Sequence, residues 1–179
     1  MKYPTRTALC VSLLATIAMA LPARADDVTV SMNKVTQNGT GDAVGTIVIA
    51  STEAGATFKL DLHGLPPGQH GFHVHENDNC SPIFINGVRI PGGAAGNHFD
   101  PDRTYKHLGP EGEGHLGDLP LIVVAPDGTA TQTLTAPRIK DVEVLKQRSL
   151  IIQAGGDTYT DVPNRGGSVG VRVACGVIE

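Results

Sequence analysis

Two histidines one residue apart, His73 and His75 in Gly71-Phe72-His73-Val74-His75, are the first residues along the chain whose spacing points to chemistry. On an extended strand successive side chains alternate, so Phe72 and Val74 face one side and the two imidazoles the other, roughly 6.5 to 7 Å apart at Cα. Two such rings can converge on one ion. Downstream, His98, His107 and His115 with Asp118 offer three nitrogens and one carboxylate, a donor set that suits a closed four-coordinate zinc site. In His115-Leu116-Gly117-Asp118 two donors approach one ion across a glycine, and the spacing 98, 107, 115, 118 wraps a loop around it. Of the seven histidines, only His63 and His70 remain outside these two groups.

The elements that must position these residues read as β-structure. Period-2 runs recur between turn signals at Val28 to Val35, Thr46 to Ser51, Thr57 to Leu62, Gly71 to His75, Leu121 to Val124, Ala130 to Thr135, Ser149 to Gln153 and Val169 to Ala174. Strands at this spacing predict an antiparallel sandwich or barrel. Phe58, Leu60 and Leu62 alternate with Lys59 and Asp61, the pattern of a sheet with one wet face. Asn38-Gly39, Pro66-Pro67-Gly68 and Asp127-Gly128 mark turns, and only Asp141 to Gln147 reads as briefly helical. From Ser81 to Gly117 the sequence predicts neither strand nor helix. A structureless stretch of that length inside a compact domain needs a function or a cross-link to hold it, and a metal ion would supply that order.

The 179 residues carry 22 Gly, 12 Pro and no Trp, with 4% aromatic residues, a composition that suits one loop-rich β domain. Lys2 and Arg6, the apolar run Ala8 to Leu21 and the small-residue site Ala23-Arg24-Ala25 read as a secretory signal peptide over residues 1–25, leaving a domain over 26–179. The apolar run is too short to span a membrane comfortably, so the released protein is expected to be free of it. Without residues 1–25 the chain has 11 bases against 18 acids, a net charge of −7, which argues against a general nucleic-acid binder. Cleavage also removes Cys10 and leaves Cys80 and Cys175. In an exported protein that even pair reads as one disulfide.

Four ordered motifs carry a family resemblance: Gly-Gln-His-Gly-Phe-His-Val-His at 68–75, Gly-Asn-His-Phe-Asp-Pro at 96–101, Gly-His-Leu-Gly-Asp-Leu-Pro at 114–120 and Arg-Val-Ala-Cys-Gly-Val-Ile at 172–178. Together they closely resemble the copper/zinc superoxide dismutases, and their bacterial exported branch in particular. The resemblance implies an all-β fold, a flattened eight-stranded antiparallel Greek-key barrel of the Ig-like sandwich type with a long metal-binding loop. It also implies a periplasmic enzyme that converts superoxide to oxygen and hydrogen peroxide with a copper ion and a supporting zinc ion. By similarity His73, His75 and His98 bind copper, and His98, His107, His115 and Asp118 bind zinc, with His98 shared between them. Arg172 matches the arginine that attracts and positions superoxide, and Cys80 with Cys175 matches the family disulfide. His70 matches a structural histidine. Asp161 is expected to be the carboxylate linking the two metal sites, with Asp157 as the alternative. The sequence leaves oligomeric state and copper delivery open, a homodimer and a copper chaperone being the candidates.

One position departs from the family. A fourth copper-binding histidine is required on a late strand, and Gln153 stands there. A neutral amide oxygen is a poorer donor to copper than imidazole. The expectation is weaker copper retention, and the alternative function is a catalytically impaired or inactive metal-binding protein, a copper or zinc buffer or donor.

Overall fold

The structure is a computed structural model that describes residues 27–162 and 170–179. The signal peptide expected at 1–25 and the expected strand start at Val169 lie outside those residues. Eleven strands are seen among the described residues: β1 (Val28–Thr36), β2 (Gly39–Thr52), β3 (Gly55–Leu62), β4 (Gly68–His70), β5 (Phe72–His75), β6 (Ile83–Ile85), β7 (Val88–Ile90), β8 (Ile122–Val124), β9 (Thr133–Ala136), β10 (Arg148–Gln153) and β11 (Arg172–Ile178).

Seven of them form one antiparallel sheet in the order β5-β10-β11-β1-β2-β3-β9, and β4 pairs separately with β8. Gly71 separates β4 from β5, so the two are halves of one interrupted strand. Counted that way, the curled sheet has eight strands, β8 and β9 at its ends, as the resemblance implied. Gln132 spans that gap: its amide accepts from the Val123 N–H and donates to the Val123 carbonyl. A side chain thus occupies backbone groups that an open sheet edge would expose.

The core follows from strand alternation. In β3, Phe58, Leu60 and Leu62 are buried while Lys59 and Asp61 are exposed. Phe58 meets Phe72 edge to face across the core, ring centroids 5.7 Å apart, the geometry their quadrupoles favour. Val74, Leu150, Ile152 and Ala174 pack into the same core. The other face of β5, β10 and β11 is covered as well. There Val35, Ala95, Ile151 and Cys175 form a second small apolar cluster, with Cys80 against it. Cys80 and Cys175 form the expected disulfide, with Cα atoms 5.8 Å apart.

Three expectations change. The segment from Ser81 is not wholly irregular, because β6 and β7 form a hairpin about Asn86-Gly87, both with positive φ. Such a turn matches the twist of the strands it joins. The helix expected at Asp141 to Gln147 is a single 3₁₀ turn, Val142–Leu145, whose Asp141 side chain accepts the Glu143 N–H at 2.9 Å. The last strand continues past Ala174 to Ile178, paired along β10.

Candidate metal centre

β5 presents His73 and His75 outward because Phe72 and Val74 take the core-facing positions. The loop is zipped against this strand by single bridges that place Asp118 opposite His73 and His98 opposite His75. Between them, Phe99 N–H donates to Val74 O at 2.8 Å, and Val74 N–H donates to Gly117 O at 2.9 Å. Residue 117 must be glycine for this approach, since a Cβ there would lie 2.3 Å from the Val74 carbonyl oxygen. Further along, Arg138 donates to the carbonyls of His115 and Gly114 at 3.0 and 2.9 Å. No metal-ligand spacing marks Arg138, and its role was not legible in the sequence.

The loop residues converge on one oxygen. Asp118 Oδ1 lies 3.0 Å from His98 Nδ1, 3.0 Å from His107 Nδ1 and 3.2 Å from His115 Nδ1. A tetrahedral zinc ion with donors about 2.0 to 2.1 Å away separates them by roughly 3.3 Å, so these are close to the edges of such a tetrahedron. The His107 nitrogen sits at hydrogen-bond distance from Asp118 but makes no hydrogen bond among the described residues, as two donors to a shared ion would. His73, His98, His107 and Asp118 also each place a donor atom within 4.8 Å of the others. The donors present fit zinc.

His98 is central to the cluster. Its ring centroid lies 3.9 Å from His73, 5.0 Å from His75 and 5.3 Å from both His107 and His115. Hydrogen bonds set the other tautomers. His75 Nδ1 donates to Gly96 O at 3.0 Å, which leaves Nε2 with the lone pair, buried and without a hydrogen-bond partner among the described residues. His73 Nε2 donates to Asp157 Oδ2 at 2.6 Å, so Nδ1 is its lone-pair atom. These tautomers follow from the partners on the opposite nitrogen, and they aim electron pairs where a second cation would sit. Copper is soft enough to accept imidazole in either oxidation state, so this part of the site fits it.

Asp157, rather than Asp161, links the two groups. Its second oxygen accepts from His107 Nε2 at 2.7 Å, so one carboxylate holds His73 and His107 together. Asp161 instead accepts the His107 backbone N–H at 3.2 Å. The reason is position. Gly155 O is still hydrogen-bonded to Gly71 N–H, which keeps Asp157 beside β5, whereas Asp161 comes later in the turn that follows.

Burial and neighbouring charge set the ionisation. Burial lowers His73, and it lowers His75 further, with help from His98 and Arg172. His98 falls to about 3 through burial and the neighbouring His73. Burial alone would lower His107 too, but the carboxylates of Asp118 and Asp157 outweigh it and raise the ring to about 9. Burial works to raise Asp118 and Asp157, yet their histidine partners hold both below the ordinary carboxylate range.

A cleft of about 610 Å³ opens onto this cluster, with His75, His98, Gln153 and Arg172 among its lining residues. Arg172 is held there by hydrogen bonds to the Gly92 carbonyl and, at 2.6 Å, to Gly96 O. His70 stands outside the cleft, its two ring nitrogens against Gln153 O at 2.6 Å and Pro66 O at 2.7 Å. His63 is not among the residues brought together.

The profile of the family described as copper/zinc superoxide dismutase (SODC) matches residues 43–178. A protein named superoxide dismutase [Cu-Zn] from Brucella abortus is 48% identical over 163 residues, 91% of this chain and 94% of the relative. The solved Cu/Zn superoxide dismutase from Brucella abortus superposes with a TM-score of 0.84 at 47% identity, covering 86% of this chain and all of that one. The solution structure of the monomeric copper, zinc superoxide dismutase from Salmonella enterica gives 0.77 at 49% identity, again over 86% of this chain and all of the other. Bacterial relatives and a disulfide fit an exported protein. With the fold, the histidine cluster and these matches in agreement, the chain belongs to the copper/zinc superoxide dismutase family.

Proposed function

We propose that the chain catalyses the conversion of two superoxide ions and two protons to oxygen and hydrogen peroxide, in the periplasm after removal of residues 1–25. The observation that carries this reading is the position of His98 between two groups of donors, with Asp118, His107 and His115 on one side and His73 and His75 on the other. Copper would be held by His73 Nδ1, His75 Nε2 and His98, and zinc by the Nδ1 atoms of His98, His107 and His115 with Asp118 Oδ1. When bound, copper supplies the one-electron exchange with superoxide, while zinc supplies order to the loop.

The protein's own residues do the rest. The cationic Arg172 faces the cleft and gives an acidic chain a local positive patch that collects an anion. His98 Nδ1 is committed to the Asp118 side, which leaves Nε2 as the atom at which the ring can take up and deliver a proton. Asp157 keeps His73 and His107 in one orientation through the cycle. The test is the dismutation rate per bound copper in mature protein reconstituted with copper and zinc. A rate approaching the diffusion limit is expected of a working scavenger, and a negligible rate with both metals bound would overturn the enzymatic reading.

Gln153 favours a second reading, a metal-binding protein with impaired or absent catalysis. Gln153→His separates the two. A large gain in rate per copper would show that the native chain is limited by coordination, and no gain would count against that account.

A further inference from the structure

Gln153 is held by its backbone on both sides. Its N–H donates to Gly71 O at 2.9 Å, and its carbonyl accepts from the buried His70 at 2.6 Å. Gln153 lines the cleft together with His75, His98 and Arg172. Its Oε1 is buried with no hydrogen-bond partner among the described residues, as is Nε2 of His75. Arg172, a cation lining the same cleft, is instead engaged with the carbonyls of Gly92 and Gly96. Both Gln153 and His75 line the same cleft, and two buried lone-pair atoms left without a proton donor are a costly arrangement. A metal cation satisfies both at once.

We propose that Gln153 Oε1 is itself a ligand of the copper centre, making it a site of three imidazole nitrogens and one amide oxygen. This rests on the reading that the cleft holds copper. An amide oxygen is a harder, weaker donor than imidazole, so the site holds copper less tightly and favours the divalent over the monovalent ion. In this account Gln153 sets copper affinity and preference for oxidation state, while the zinc group is untouched.

The test uses full-length mature protein loaded with zinc and then with Cu(II), comparing wild type with Gln153→Ala, Gln153→Glu and Gln153→His. Pulsed and continuous-wave EPR count the nitrogens on copper, and chelator competition gives copper affinity. Zinc content of each variant serves as the folding control. The expected results are three coordinated nitrogens in wild type and four in Gln153→His. Gln153→Ala should bind Cu(II) at least about tenfold more weakly, and Gln153→Glu should bind it more tightly with a shifted spectrum. Copper bound with spectrum and affinity indifferent to residue 153, in variants that retain zinc, would overturn the assignment of Gln153 alone. Failure of the zinc-loaded wild type to take up any copper would overturn both this inference and the copper reading beneath it.

Discussion

Gln153 and Arg172 are register partners across β10 and β11, because the ladder passes over Val173 between the pairs Ile152–Ala174 and Gln153–Arg172. A bulge of this kind re-aims the side chains that follow it. Both residues line the same cleft with His75, so a single backbone irregularity sets a cationic side chain beside the histidine cluster.

Replacing Arg172 with Ala should lower the dismutation rate per copper by roughly 10- to 100-fold and flatten its dependence on ionic strength. Arg172→Lys should keep part of the rate, since the charge survives while the fork to Gly92 and Gly96 is lost. Stopped-flow or pulse-radiolysis rates at several salt concentrations check this; a salt slope unchanged in Arg172→Ala would count against steering by this residue.

Asp157→Asn should weaken zinc binding by about 10- to 100-fold, because it removes the acceptor that fixes His107 and with it His73. Asp161→Asn, which alters an acceptor of the His107 backbone N–H rather than of a ring nitrogen, should cost less. Competition with a zinc chelator orders the two variants, and a larger loss for Asp161→Asn would reverse their roles.

Cys175→Ser, or full reduction of the native protein, should cost roughly 4 to 5 kcal/mol by the loop-entropy account, given that the bridge spans a sequence separation of 95. Denaturant titration with and without reductant measures it. Equal midpoints in the two conditions would exclude a stabilising bridge.

Metal-free protein should lose stability on both sides of neutrality. His98 is held at about 3 and His73 and His75 are also lowered, so below the ordinary 6.5 the unfolded chain binds protons that the folded chain refuses, and stability falls as pH drops toward 3. Asp118 and Asp157 add to this at the acid end, since their contribution is present above 3.8 and lost as pH falls further. His107 has the opposite sign: raised to about 9, it stabilises fully below 6.5 and that contribution is lost as pH rises through 9. Melting temperatures of the metal-free protein from pH 4 to 10 should trace a dome, and a melting temperature that rises on acidification would contradict these ionisation states.

Much of the barrel was legible because alternation is local. Phe58, Leu60 and Leu62 announce their face without reference to any distant residue, and the same rule put His73 and His75 outward. The loop donors were legible as a set because histidine and aspartate at that density have few other uses. Arg138 was not, since an arginine that holds two carbonyls has no motif. The choice between Asp157 and Asp161 was not legible either, because it depends on how far the chain stays beside β5 after β10 ends. The β6–β7 hairpin did carry a signal, Asn86-Gly87 between Ile83-Phe84-Ile85 and Val88-Arg89-Ile90, a strong local hairpin cue masked by the irregular glycine-rich stretch around it.

The Cys80–Cys175 bridge fastens the segment that follows β5 to β11, two strand positions beyond the bulge that aims Arg172. That segment also carries Ala95, packed in the same small apolar cluster, between Gly92 and Gly96, whose carbonyls grip the guanidinium. The hold on Arg172 and the redox state of the surroundings are therefore mechanically joined. A thiol-rich solvent is expected to slacken the grip on Arg172, so the covalent bridge ties the order of the cleft wall to oxidising surroundings.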